Sequence, residues 1–407
     1  MSVPKLRFKR ENGTNYPEWE EKRLGEVTSP LTSRNKDNKD YPVYSVNNKK
    51  GFIPQLEQFE DREVASNNKA NYRVVRHCHF AYNPSRINVG SIAYLKERKT
   101  VIVSPLYVVF ECTEIMPEYM NIYVRTQDFH NQRKANTAGS VRDSLSYDGF
   151  AKITILVPCL EEQKKIADFL STVDEVIAQS EAEVQNFEQQ KKAAMQKIFS
   201  QEVRFKREDG TEYPEWEEDI IGNCVNVTSC KRVHQSDWTD SGVPFYRARE
   251  IVALYNNEPI TPLHISIEKY NALSKISGMI SSGDLLVTGV GTIGVPYLVK
   301  ESDKFYFKDG NIIWFQNEEK RALGSFLYYT LSTNEFQTKI LQDSGKGTVH
   351  TFTIANAKET IIAIPCLEEQ KKIADFLSAY DEAIGYAKQE LDKWKELKKG
   401  LLQQMFV

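Results

Sequence analysis

The stretch PCLEEQKKIADFLS, residues 158–171, occurs a second time without change as residues 365–378, 207 positions further along the chain. A second repeat accompanies it, because FKRENGTNYPEWEE (8–21) returns as FKREDGTEYPEWEE (205–218), 197 positions later. The chain therefore reads as a short repeat, a variable block and a long repeat, followed by the same three again. Two copies of so long a unit are typical of a duplicated half, since solenoids are built from more and shorter repeats.

The long repeat has the hydrophobic spacing of a helix that pairs with another helix. Counted from Ile166 in alternating steps of four and three residues, eight of ten positions are apolar, as are nine of ten in the second copy. Paired glutamates follow Pro158 and Pro365, which favours a helix start there. We predict two coiled-coil helices, residues 158–201 and 365–407, that pair antiparallel. The alternative is that each helix packs only on its own domain.

The repeat is closed in a circle. The first helix continues into VRFKRED (203–209), whereas the continuation of the second helix is found at the start of the chain as LRFKREN (6–12). Residues 1–21 thus complete the repeat, and residues 202–218 are its copy. We expect the two termini to lie close together and the duplication to give a pseudo-twofold internal repeat.

The variable blocks, residues 22–157 and 219–364, share little sequence but alternate strand-like runs with helical pieces. The run VIVSPLYVVF (101–110) is typical of a strand, and GSFLYYTLSTNEFQTKIL (324–341) is typical of a helix. The predicted fold class is therefore α+β, with two mixed α/β globular domains joined by the two long antiparallel coiled-coil helices.

Composition excludes several classes of protein. No apolar run approaches the roughly 18–20 residues of a membrane span, and the start lacks the apolar core of a signal peptide, so we expect a cytoplasmic protein. Six cysteines without a CxxC pair argue against a disulfide scaffold and a zinc module. Residues 22–156 carry 20 Lys and Arg against 14 Asp and Glu, a net +6, whereas residues 219–363 carry 14 against 15, a net −1. Charge therefore supports a polyanionic partner only weakly.

Motifs that suggest catalysis fail on their context. GVGTIG (289–294) matches the dinucleotide-binding pattern, but an extended run follows where a helix is required, so we interpret it as a glycine-rich hairpin. YNPS (82–85) lacks the second proline and the aromatic residue of an amino-methyltransferase motif. His77 and His79 have no neighbouring cluster to complete a metal site. We predict no catalytic, cofactor-binding or metal-binding residue.

Basic and amide side chains in the blocks offer DNA-binding chemistry instead. Arginine and asparagine make paired hydrogen bonds to guanine and adenine, and lysine neutralises phosphate. Arg247 and Arg249 stand at strand spacing, which would place both on one face. For any single residue a solvated surface position is an equal alternative. The candidate DNA-binding residues are Arg34, Lys36, Lys49, Lys50, Arg73, Arg76, Arg86, Asn88, Arg142, Lys231, Arg232, Arg247, Arg249, Lys346, Thr348 and His350.

Over its whole length the chain resembles the specificity (S) subunit of Type I DNA restriction-modification systems. The resemblance rests on the order of blocks and on the Pro-x-Leu-Glu-Glu-Gln-x-x-Ile-Ala start of each long repeat, at residues 158–167 and 365–374. It implies that each block is a target recognition domain reading one half of a bipartite, asymmetric double-stranded DNA target, with the paired helices as a fixed spacer. It also implies that the chain is not an enzyme and joins two modification methyltransferase subunits and restriction/translocase subunits. S-adenosylmethionine, ATP and magnesium would then belong to those partners, with no cofactor bound by this chain.

Positions outside the helical seam are also identical in the two long repeats. We hypothesise that two copies of one methyltransferase dock there, although recent duplication alone would preserve the same residues. The candidate partner-binding residues are Glu161, Glu162, Gln163, Lys164, Glu368, Glu369, Gln370 and Lys371. Two other functions stay open: a coiled-coil protein-interaction scaffold without direct DNA readout, and a DNA-modifying enzyme.

Overall fold

The computed structural model describes residues 4–48, 50–58, 68–137, 144–307, 312–317, 321–343 and 351–406. Their contacts divide the chain into two compact units, Met1–Glu181 with Gln389–Val407, and Ala182–Lys388. Each unit therefore contains one variable block and a part of both long helices. None of the helices in these ranges is long and apolar enough to cross a membrane.

The first variable block is built from short strands and small helices. In chain order these are β1 (Glu20–Arg23), α1 (Leu24–Val27), β2 (Thr28–Leu31), β3 (Tyr44–Asn47), β4 (Gly51–Pro54), α2 (Gln55–Gln58), β5 (Arg73–Val75), β6 (Phe80–Tyr82), a 3₁₀ turn (Ile87–Val89), β7 (Ile92–Tyr94), β8 (Val101–Val103), β9 (Val108–Cys112), α3 (Pro117–Tyr123), α4 (Gln127–Asn136), α5 (Tyr147–Ala151) and β10 (Thr154–Val157). The largest sheet has the order β2-β9-β6-β7, and β1 with β10, β3 with β4 and β5 with β8 form antiparallel pairs.

Aromatic side chains fill the core of the first block. Phe80 and Phe110 face each other across β6 and β9, and their ring centroids lie 4.9 Å apart. Phe150 stands 4.8 Å from Phe110, and all three side chains are fully buried. Each such burial contributes on the order of 1.5–3 kcal/mol, which makes this cluster a main stabiliser of the block.

Whereas the first block has one four-stranded sheet and three strand pairs among the described residues, the second block has two four-stranded sheets and one strand pair. Its elements are β11 (Glu217–Ile220), α7 (Ile221–Cys224), β12 (Asn226–Thr228), a 3₁₀ turn (Gln235–Asp237), β13 (Trp238–Thr239), β14 (Val243–Tyr246), α8 (Ala248–Tyr255), β15 (Leu263–Ile265), α9 (Ile267–Ser277), β16 (Leu285–Thr288), β17 (Pro296–Leu298), β18 (Tyr306–Phe307), β19 (Ile312–Gln316), α10 (Gly324–Leu331), α11 (Asn334–Asp343), α12 (Ile354–Glu359) and β20 (Ile361–Ile364). The sheet orders are β12-β19-β16-β17 and β13-β15-β14-β18, and β11 pairs with β20.

Two long helices come from the long repeat, as predicted. In the chain order of helices, α6 (Leu160–Phe199) lies between the blocks and α13 (Leu367–Met405) follows the second block. With 40 and 39 residues at about 1.5 Å each, both are about 60 Å long. The glutamates after each proline occupy the first turn, where the helix dipole favours negative charge.

Within each unit, ion pairs join a segment of α6 to a segment of α13. The pairs are Asp174–Lys398 and Glu181–Lys395 in the first unit, and Lys191–Asp381 and Glu188–Lys388 in the second. As residue numbers rise along one helix they fall along the other, so the paired segments of each unit run in opposite directions. Their apolar seam is partly buried on the blocks: Ile166 and Leu170 join the core of the first, and Ile373 and Leu377 that of the second.

Of three local predictions, the structure corrects two and confirms one. The run 101–110 contains two strands, because a turn at 104–107 separates β8 from β9. The run 324–341 contains two helices, because the Thr333 hydroxyl accepts a hydrogen bond from the Phe336 amide and starts α11. The glycine-rich run 289–294 connects the antiparallel strands β16 and β17, which confirms the predicted hairpin.

Candidate nucleic-acid interface and partner-docking surfaces

A buried carboxylate at the start of α6 holds the short repeat in place. Glu162 is fully buried, and Arg7 donates to it from Nε (3.2 Å) and Nη2 (2.9 Å). The indole of Trp19 donates to the same carboxylate at 2.9 Å. The hydrogen bonds with Glu162 raise the pKa of Arg7, and charge-assisted bonds of this kind are about twice as strong as neutral ones.

The second unit repeats this arrangement. Glu369 is fully buried and accepts from Arg204 Nε (3.3 Å), Arg204 Nη2 (2.9 Å) and Trp216 Nε1 (3.1 Å). Arg204 and Trp216 are the copies of the arginine and tryptophan in the first unit, 197 positions later. The short and long repeats, which the sequence shows as separate, are thus the two sides of one contact.

The neighbouring glutamines are buried as well. Gln163 accepts from the Met116 amide and donates to the Pro158 carbonyl, both at 2.8 Å. Gln370 makes the corresponding bonds to Leu323 and Pro365 at the same distance. Each glutamine therefore ties a long helix to the block that precedes it.

These contacts correct part of the docking hypothesis. Glu162, Gln163, Glu369 and Gln370 are at most 1% exposed, so their side chains are not on the surface that a partner would touch. Helical spacing predicts that these four side chains face solvent, because they lie outside the apolar seam. In the structure, a block and the short repeat cover the first turn of each long helix.

The remaining candidates for docking do lie on the surface. The side chains of Glu161 and Lys164 are 72% and 65% exposed, and those of Glu368 and Lys371 are 73% and 70% exposed. Each of the lysines pairs with the aspartate four residues later. These four residues form the same small charged patch at the start of each long helix.

A second feature occurs once in each unit: a cleft between the end of a long helix and the start of a short one. In the second unit the cleft, about 670 Å³, is lined by Lys192, Gln196, Phe199 and residues 332–335. In the first unit the cleft, about 570 Å³, is lined by Lys399, Gln403, Phe406 and residues 125–128. The helix residues are equivalent under the repeat, and both clefts adjoin a short helix that begins after a threonine, α11 or α4.

In the first block, two of the DNA-binding candidates lie together. Arg34 and Arg73 face each other in a β-bridge, and Arg34 donates to the Asn71 side chain at 3.2 Å. Arg73 donates to the Pro105 carbonyl at 3.2 Å. The pKa of Arg73 is lowered, mainly by burial and secondly by the positive charge of Arg34. The side chain of Arg73 is thus half-buried and bonded within the block, whereas Arg34 is exposed and faces solvent.

A separate group of candidates occupies the β6–β7 hairpin. Arg86 and Asn88 are exposed on the 3₁₀ turn of this hairpin. The Leu145 amide donates to the Pro84 carbonyl of the same loop at 3.1 Å. Arg76 follows β5 and is exposed, as are Lys36 and Lys50 in other loops, so the structure does not gather these residues into one site.

The second block has a defined arginine cluster. Glu250, 3% exposed, accepts from Arg247 Nη2 at 2.7 Å and from Arg249 Nε at 2.6 Å. Burial raises the pKa of Glu250 and these hydrogen bonds lower it, with a net value below the ordinary one. The Arg247 guanidinium lies over the Trp238 ring, whereas the side chain of Arg249 is 68% exposed. Arg249 is therefore an exposed cation held by a buried anion.

This cluster corrects the prediction from strand spacing. β14 ends at Tyr246, and Arg247 is the N-cap of α8, so the two arginines do not alternate along one strand face. They meet because Glu250, at the third position of α8, reaches back to the Arg247 amide at 3.0 Å and to both side chains. Sequence reasoning missed Glu250, although an acidic residue three positions after Arg247, at the start of a helix, was the available signal.

The other candidates are dispersed or not described. Lys231 and Arg232 are exposed after β12, where the Lys231 amide donates to the Ser277 hydroxyl at 2.9 Å. Within the described ranges there is no group of three His, Cys, Asp or Glu side chains that could hold a metal ion. Five candidates lie outside the described residues: Lys49, Arg142, Lys346, Thr348 and His350.

Comparisons with known proteins agree on one family. The family described as "Type I restriction modification DNA specificity domain" matches residues 16–186 and 213–395. The MjaX specificity subunit of Methanocaldococcus jannaschii, named as putative, is 23% identical over 97% of this chain and 94% of its own length. The MjaVIII specificity subunit of the same organism is 26% identical over 66% of this chain, which spans 65% of that subunit.

Solved structures show the same fold. The Type I restriction-modification S subunit from M. genitalium superposes with a TM-score of 0.59 at 12% identity, covering 100% of this chain and 99% of that one. A chain from a structural study of complex assembly in the type I system gives a TM-score of 0.57 at 17% identity, covering 96% and 97%. Since the family match alone covers both halves of the sequence, the chain belongs to the Type I restriction-modification DNA specificity family.

Proposed function

We propose that this chain is the non-catalytic DNA-specificity subunit of a Type I restriction-modification complex. Each variable block reads one half of a bipartite, asymmetric DNA target, and α6 and α13 together form an antiparallel coiled-coil spacer that fixes the separation of the half-sites. The observation that supports this most is the duplicated architecture: two different blocks, each preceded by a short repeat that binds the start of the following long helix through the same Glu–Arg–Trp contact.

Base reading in the second block is proposed for the arginine cluster. Arg249 exposes its guanidinium while Glu250 holds its Nε, so the side chain loses little conformational freedom when it binds. An arginine fixed in this way suits the two acceptors of a guanine in the major groove. The first block offers Arg34 and the hairpin residues Arg86 and Asn88 for the corresponding role.

The test is an exchange of one block. Residues 22–157 are replaced by the corresponding block of a relative, the chain is produced with its methyltransferase in a host, and modified bases are sequenced. One half of the methylated motif should change while the other half and the spacing stay the same. An unchanged motif contradicts the proposal.

The arginine cluster has its own test. R249A should relax or abolish recognition at the half-site read by the second block, which is the half that the block exchange leaves unchanged. E250Q should affect the same half-site. K275A, which removes an exposed cation of the same block that is neither in this cluster nor among the DNA-binding candidates, serves as the comparison. An effect of R249A on both halves equally would indicate general phosphate binding instead of base reading.

Partner docking is proposed at the features that occur once in each unit. Two methyltransferase subunits, which carry S-adenosylmethionine, bind the exposed patch at Glu161 and Lys164 or the cleft at Lys399, and the same places in the second copy. Restriction/translocase subunits, which carry ATP and magnesium, join through them. Identical docking surfaces suit identical partners, which supports a ratio of two methyltransferases to one specificity subunit.

Native mass spectrometry of the assembled complex tests this docking. K399E should remove one methyltransferase, K192E the other, and the double variant both. E161K and E368K, tested as a matched pair, separate the cleft from the patch. Two bound methyltransferases in every variant would refute docking at both features. DNA binding is a separate measurement: a complex that binds no DNA at any salt concentration would favour a protein scaffold.

A further inference from the structure

The ion pairs between α6 and α13 fall into two kinds when they are compared through the repeat. Asp174 and Asp381 are equivalent positions, 207 residues apart, and so are Lys191 and Lys398. The pairs Asp174–Lys398 and Lys191–Asp381 are therefore the same contact made twice. Such a pair aligns two antiparallel helices, but it would form equally well between two copies of one helix.

The other two pairs are inverted. Position 181 is equivalent to 388, and position 188 to 395, yet the first helix carries Glu181 and Glu188 while the second carries Lys388 and Lys395. In the first unit Glu181 pairs with Lys395 at 2.8 Å, and in the second unit Lys388 pairs with Glu188 at 2.7 Å. The acid is thus always on α6 and the base always on α13.

This inversion favours the observed pairing of α6 with α13 over the pairing of like helices from two copies of the chain. The two helices are copies of one sequence, and their seams are apolar at equivalent positions such as Ile177 and Ile384. The same antiparallel alignment could therefore bring α6 against α6, or α13 against α13, of a second copy of this chain. In the first case Glu181 would oppose Glu188, and in the second Lys388 would oppose Lys395.

We propose that these four residues select the pairing of α6 with α13 and exclude a second copy of this chain from the same helix surfaces. The selection itself depends only on the helix contacts. Its consequence rests on the proposed function, because pairing of like helices would join two like recognition blocks and give a symmetric target. In a duplicated protein that reads an asymmetric target, opposite charges on the two helices would keep the two different blocks in one pair.

The size of the effect follows from the exposure of the pairs. All four side chains are 44–47% exposed, so each contact is a screened surface pair. Self-pairing of two chains would replace four attractive contacts by four repulsive ones. Individual pairs of this kind change an equilibrium by only about twofold, so the combined preference is about tenfold or more at low salt.

Two charge-exchange variants of the full chain test the proposal. E181K/K395E keeps an attractive pair in each unit, but it also makes the contacts within α6–α6 and α13–α13 pairs attractive. E181K/E188K/K388E/K395E reverses all four charges, so the observed pairing stays attractive and self-pairing stays repulsive. E188K/K388E is equivalent to the first variant in the other unit and replaces it should that variant fail to fold.

The measurement uses two differently tagged copies of each variant, made together in one host. One tag is captured at low salt, and the amount of the other tag is quantified. The double variant should show about tenfold more co-capture than the original chain or the fourfold variant, and 1 M salt during assembly in vitro should reduce the difference. Equal co-capture by the original chain, the double variant and the fourfold variant would overturn the proposal, and so would a lack of co-capture by all three. Either result would leave the proposed DNA-reading function unaffected.

Discussion

Neutralising Glu162 tests whether the short repeat is held mainly by this one carboxylate. E162Q keeps the size of the side chain but removes the negative charge that Arg7 and Trp19 share. The carboxylate is fully buried and the side chain of Arg7 is only 17% exposed, so water replaces little of the lost interaction. Hydrogen bonds to charged groups contribute about 1.5–3 kcal/mol, and we expect a loss of about 2–3 kcal/mol in the local opening free energy.

Hydrogen exchange on the full chain measures this opening directly. The Arg10 and Gly13 amides are bonded inside the short repeat, to Thr14 and Arg10 carbonyls at 2.9 Å. A loss of about 2–3 kcal/mol should speed their exchange by about 30- to 150-fold. The equivalent amides of Arg207 and Gly210 should be unchanged.

The second copy supplies the matched control. E369Q should speed exchange in residues 205–218 and leave residues 8–21 alone, and K164Q, at an exposed position that pairs with Asp168 on the same helix, should affect neither. A change below about threefold in E162Q would refute the reasoning, since that corresponds to less than about 0.7 kcal/mol. Equal acceleration of both copies would show that the two contacts do not act locally.

Two further predictions concern stability. G324A should destabilise the second block by several kcal/mol, because the added methyl would lie 1.8 Å from the Gly283 carbonyl oxygen, whereas G385A, with open space around it, should stabilise α13 by about 0.5–1 kcal/mol; thermal unfolding compares them. Burial lowers the pKa of His79, whose Nδ1 accepts from the Arg76 amide, so the unfolded chain binds a proton more readily and stability should fall as pH drops below about 6.5. H79Q should flatten that dependence in unfolding measured from pH 5 to 8, and an unchanged slope would contradict it.

The long helices could be predicted from sequence because their signal is repeated over many turns. Seam residues such as Ile166 and Leu170 recur at regular spacing, and a proline with two glutamates marks each start. The strands of the blocks were harder, since most have three to five residues and end at turns fixed by contacts distant in sequence. The break between α10 and α11 depends on one threonine cap, which a hydrophobic pattern does not register.

The side chains of the site were less predictable, for a physical reason. Periodicity tells which side of a helix meets one partner, but it does not tell when other segments cover the remaining sides. Glu162 is outside the seam and still fully buried, because the short repeat lies over it. Similarly, the spacing of Arg247 and Arg249 predicts a strand face, whereas a buried glutamate one turn into α8 decides their positions.

The identity of the fourteen repeated residues can now be divided by cause. Glu162 and Gln163 are required by internal contacts, Phe169 packs on Phe8 at 5.5 Å, and the Lys165 ammonium donates to a carbonyl of the short repeat. For these positions the fold alone explains why both copies are the same. What remains is a small exposed patch around Lys164, whose side chain pairs only with its own neighbour on the helix among the described residues. If selection by a partner has acted on the long repeat, it has acted on that patch and on the clefts at the helix ends, where the fold makes no comparable demand.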